Sequence, residues 1–181
     1  MNSIKQIEVI YNNRLVGRLA LTREGLCAFE YSAEWLSSGF SISPFELPLR
    51  SGVFIAKPRP FEGGFGVFDD CLPDGWGLLI LDRYLQQKGI NPRTLTLLDR
   101  LALVGSTGRG ALEFRPDNSV VTRQDFADFE KLALEAEKIL ASDDYMGEGI
   151  EEFQDRGGSP GGARPKIFVR YNDKEWLVKF R

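Results

Sequence analysis

The residues best suited to chemistry lie near the end of the 181-residue chain, in the stretch 156–166 (RGGSPGGARPK) and at Lys179. Four glycines fall within residues 157–162. Without Cβ atoms, such a segment lets backbone N–H groups approach a ligand closely, and clustered N–H groups form anion-binding concavities. A lysine on a nearby strand adds the compact charge that a polyphosphate requires. Protein kinases use this order: glycine-rich loop, strand, turn, strand bearing the phosphate-pairing lysine. Neither common phosphate fingerprint is present. After Gly157 to Gly162 the chain has Ala163 and Arg164 where a Walker A loop needs Lys and Ser or Thr, and the kinase GxGxxG is missing. On the glycine-rich loop alone, a flexible interdomain loop is the favoured reading of this stretch.

Other chemistry is limited. The chain contains no histidine, which excludes Ser-His-Asp and Cys-His catalysis and histidine-ligated metal sites within it. Cys27 and Cys71 have neither zinc-site nor disulfide-framework spacing. Asp69, Asp70 and Asp74 allow a divalent-metal or paired-carboxylate reading. They suit a helix start better, where acids meet the positive end of the dipole. Trp35, Trp76 and Trp176 are expected in the core rather than as stacking platforms for bases, and Cys71 is expected to be buried and inert.

The elements that must position these groups follow from pattern. Residues 4–11 and 14–21 are apolar runs around Asn12 and Asn13, a hairpin signal because Asn tolerates positive φ. Residues 26–31 supply a third strand, and Ser32 caps a short helical turn through Trp35. Residues 39–66, rich in Pro, Gly and Ser, read as mostly loop. Leu78, Leu81 and Leu85 recur at helical spacing between Pro73 and Gly89, and a second helix runs from Asn91 to Val104, ended by Gly105. Residues 110–115 alternate as a strand. Thr122 and Asp125 resemble a capping box ahead of an apolar stripe over 123–141, the clearest helix. Residues 142–165 read as irregular, and 166–171 and 175–181 as strands around Asn172 and Asp173.

Charge divides the chain. Residues 124–155 hold 11 acids against 2 lysines, whereas 156–181 hold 7 basic residues against 2 acids. The net charge of −3 gives no global field for nucleic acid. No signal-peptide core or membrane-length apolar run occurs, so a cytoplasmic location is the default.

Residues 31–36 (YSAEWL), 68–74 (FDDCLPD), 105–111 (GSTGRGA), 159–166 (SPGGARPK) and 177–180 (LVKF) are similar, in that order, to the N-domain motifs, ATP loop and lysine strand of the HipA family of kinase toxins. The resemblance implies an α+β fold: an N-terminal antiparallel sheet with packed helices over 1–118, then the beginning of a kinase N-lobe over 119–181. It implies a Ser/Thr-protein kinase toxin of a type II toxin–antitoxin system, using ATP and Mg²⁺. The expected partner is a helix-turn-helix antitoxin of HipB type, with DNA contacted only through it and no membrane involved. Gly161, Gly162, Ala163, Arg164, Pro165, Lys166 and Lys179 would line the nucleotide phosphates, and Ser159 would be the autophosphorylation site that displaces the loop. Arg164 and Pro165 stand where the family carries a Gln/Glu pair, and Pro165 removes one loop N–H. The catalytic Asp and the Mg²⁺-holding residues of kinases follow the lysine strand, so the chain is expected to be a truncated form, inactive by itself. A stand-alone, non-catalytic interaction module is the alternative.

Overall fold

The computed structural model describes residues 4–119, 128–142, 144–157 and 162–180. They fall into two compact units, Met1–Leu72 with Leu95–Ser119 and Pro73–Thr94 with Val120–Arg181. The sequence reading groups 1–118 together; in the structure Pro73–Thr94 clusters instead with the later residues.

The first unit is an antiparallel sheet of β1 (Gln6–Tyr11), β2 (Arg14–Leu21), β3 (Cys27–Tyr31), β4 (Val53–Ile55) and β5 (Glu113–Arg115), in the order β4-β3-β2-β1-β5. Asn12 and Asn13 have φ of 48° and 60°, the pair of positive values that a two-residue hairpin loop demands. Alternation then sends Ile7, Val9, Leu19, Phe29, Tyr31 and Phe114 to one buried face. Gly17 within β2 has no room for a side chain: a Cβ there would clash with the Glu30 carbonyl oxygen and come within 2.7 Å of the Phe29 ring.

Three helices complete this unit. In α1 (Ala33–Ser38), the Ser32 hydroxyl accepts the Trp35 amide at 3.1 Å, and Trp35 is buried edge-on to Tyr11 and Phe40. A four-residue α2 spans Gly66–Asp69. In α4 (Leu97–Val104), Thr96 and Asp99 form a reciprocal capping box, and Leu98, Leu101 and Ala102 join the sheet's core. Asp99 also accepts the Ile4 amide, 95 positions away, at 3.0 Å.

The stretch 39–66 is mostly loop, as expected, with the short β4 and a bridge between Ser43 and Leu47 within it. Other expectations are corrected in detail. The helix drawn from Asn91 to Val104 is a 3-10 turn at Pro92–Thr94 followed by α4, because Thr96 begins a new capped helix. The strand over 110–115 is confined to Glu113–Arg115.

The second unit packs α3 (Gly75–Gln87), α5 (Phe129–Ala141) and α6 (Gly149–Gly157) against a hairpin of β6 (Lys166–Tyr171) and β7 (Lys174–Lys179). Trp76, Ile80, Leu132, Ile139, Ile150, Phe153, Ile167 and Phe180 form its core. Asp128 caps α5 through the Lys131 amide; the Thr122–Asp125 start lies outside the described residues. Helix α6 occupies part of the stretch read as irregular. The buried Arg83 guanidinium donates to the Ile139 and Ser142 carbonyls at 2.7 and 2.9 Å, satisfying acceptors that the end of α5 leaves open. Trp176, expected in the core, is 53% exposed. It sits on β7, beyond which no further strand pairs among the described residues.

Candidate functional site

Strand pairing brings the two candidate lysines together. Lys166 opens β6 and Lys179 closes β7, and the two are direct cross-strand partners. In an antiparallel pair, directly opposed residues project from the same face. The adjacent Ile167, Val169 and Val178 turn the other way, toward the core. Lys179 is exposed, whereas Lys166 is 3% exposed and its Nζ donates to the Gly162 carbonyl at 2.8 Å. Burial holds the Lys166 amine below its ordinary value; the nearby Lys179 charge adds to this, and Asp74 opposes it.

Gly162 is gripped from several sides. Its φ of 97° is one that glycine adopts readily. Its amide donates to Asp74 Oδ1 at 3.0 Å, and its carbonyl accepts the Trp76 amide at 3.1 Å as well as the Lys166 amine. Ala163 and Arg164 are exposed. Pro165 is buried, and its carbonyl accepts the Phe180 amide at 2.9 Å, fastening the loop's end to the residue after Lys179. Gly161 and Ser159 lie outside the described residues. Arg156, at the start of the glycine-rich stretch, is buried on α6 and pairs with Glu152 at 3.2 Å.

Of the three acidic candidates, Asp74 joins this cluster through Gly162, whereas Asp69 and Asp70 belong to the first unit. Among the described residues, no group of three or more acids or cysteines is arranged to hold a metal ion. Burial, then Asp70 and Glu62, push the Asp69 carboxyl up. Cys71 is half-buried, and burial together with Asp70 lifts its thiol to about 11, which suppresses the reactive thiolate.

Sequence reasoning missed the part played by the start of α3. Asp74 was weighed as a helix-start acid or metal ligand, not as a partner of the loop. Asp74 lies 88 positions before Gly162, with Trp76 two residues further on, beyond the reach of any local pattern.

Comparison with known proteins fits this architecture. The sequence profile of the HipA N-terminal domain matches residues 7–115, more than half of the chain. The chain belongs to the HipA N-terminal domain family. Its fold is similar to HipA of Shewanella oneidensis MR-1, solved as a toxin–antitoxin complex with HipB and operator DNA, with a TM-score of 0.55 at 22% identity. That match covers 94% of this chain and 37% of that HipA chain, so the sequence spans little more than a third of its structural relative. No curated protein matches it. No helix among the described residues is long and apolar enough to cross a membrane.

Proposed function

We propose that this chain is the N-terminal portion of a HipA-type Ser/Thr-protein kinase toxin, and that its second unit begins the kinase N-lobe. In this reading the Gly162–Lys166 segment and Lys179 receive the phosphates of ATP, with Gly161 continuing the loop and Ser159 serving as the regulatory phosphorylation site. The observation that carries it is the opposition of Lys166 and Lys179 beside Gly162. Two ammonium groups on one face next to a backbone turn fit a polyphosphate better than a neutral ligand. ATP would supply the transferable phosphoryl group and Mg²⁺ would offset its charge. This chain's residues would bind and orient the phosphates, and no catalytic residue is assigned within it.

The proposed partner is a helix-turn-helix antitoxin of HipB type, reaching DNA in its own right. β4 suits a protein partner: it is an edge strand presenting Val53 and Ile55 to solvent, 57% and 60% exposed.

Titration calorimetry of Mg-ATP against the chain and its Lys179→Ala variant tests the reading. Removing one charge-assisted phosphate contact should weaken binding about tenfold or more. Equal affinities would overturn it.

A further inference from the structure

Helix α3 starts on a group turned away from itself. Asp74 holds the N-cap position, yet its side chain makes no hydrogen bond to the helix's own amides. An N-cap aspartate ordinarily accepts one of them. This carboxylate accepts the Gly162 amide instead. Two residues on, the Trp76 amide, one of the donors a helix start leaves open, takes the carbonyl of the same glycine. Gly75, between them, has φ of 44°, and a Cβ there would lie 2.8 Å from the Gly162 carbonyl carbon and 3.0 Å from the Ala163 nitrogen. Three consecutive residues therefore fix both polar groups of one peptide position and leave room for its close approach.

We propose that Asp74 is a positioning residue of the phosphate loop, holding Gly162 so that the following backbone and the Lys166 amine are set before any ligand arrives. This rests on the nucleotide reading of that loop. A glycine-rich segment loses much conformational freedom on ordering, so a loop held in advance binds more tightly than a free one. The hydrogen bond to Gly162 needs only an acceptor at Oδ1. Asparagine offers that acceptor and alanine does not.

The test uses the whole chain with Asp74→Ala and Asp74→Asn, reading hydrogen exchange of the Gly162 amide by NMR and Mg-ATP affinity by calorimetry. Losing one hydrogen bond should speed Gly162 exchange and weaken ATP roughly fivefold in the alanine variant. The asparagine variant should restore both. Unchanged Gly162 exchange or unchanged affinity in Asp74→Ala would overturn the proposal, as would an asparagine variant as impaired as the alanine one. If Asp74→Ala does not fold, Asp74→Gly, which keeps a favoured N-cap residue, takes its place in the same comparison. Failure of the unsubstituted chain to bind Mg-ATP would refute the nucleotide reading, and Gly162 exchange would still decide whether Asp74 holds the loop.

Discussion

Lys166 stands directly opposite Lys179 across the β6–β7 hairpin, placing two positive side chains on the face that turns away from the core. Like charges directly opposed across strands are destabilising. Lys166 meets that cost by reaching the Gly162 carbonyl, while Lys179 stays in solvent.

Lys179→Met removes the repulsion and leaves the Lys166 hydrogen bond in place. The Lys166 amine should then titrate at higher pH, observed by NMR of its Nζ and adjacent methylene. In the unsubstituted chain the folded amine releases its proton before the unfolded one does. Stability should therefore rise as pH climbs through the folded value toward about 10.4. The variant should show a smaller rise, and an unchanged or lower Lys166 titration would refute the coupling.

Gly75→Ala and Gly89→Ala both place a side chain where φ is positive, 44° and 73°, but only position 75 is crowded. At Gly89 nothing lies within 4 Å of the added carbon, so the cost there should be about 1–2 kcal/mol of backbone strain alone. Gly75→Ala should cost more, because it also displaces the Gly162 peptide. Urea denaturation of the two variants checks the order, and equal losses would show that the close approach contributes nothing.

Asp99 contributes to the acid side of the first unit. Burial by itself would raise its carboxyl, but hydrogen bonds from the Ile4 amide and from the Thr96 hydroxyl and amide outweigh this and hold it below its ordinary value. Its contribution is thus present above about pH 3.9 and lost as pH falls through the lowered folded value. Asp99→Asn should cost about 1 kcal/mol at neutral pH and flatten that acid loss, read by thermal melts at pH 7 and below pH 4.

Much of the scaffold was legible because its signals are local. Asn12 and Asn13 announce their hairpin, Ser32 its helix, and the stripe of Leu132, Ala136 and Ile139 the helix α5. What escaped had weak or distant signals. Helix α6 offers only Ile150 and Phe153 to the core amid acidic residues. β4 is three residues long in a Pro- and Gly-rich setting. The Lys166–Lys179 pairing could be read from hairpin register. The hold of Asp74 and Trp76 on Gly162 could not, since it joins segments far apart in sequence.

The most direct measurement is an NMR titration of the chain with Mg-ATP, following the Gly162 amide and the side-chain signals of Lys166 and Lys179. Binding at this site predicts saturable shifts at all three residues, weakened about tenfold by Lys179→Ala. Shifts confined to other residues, or an affinity that Lys179→Ala leaves intact, would contradict it.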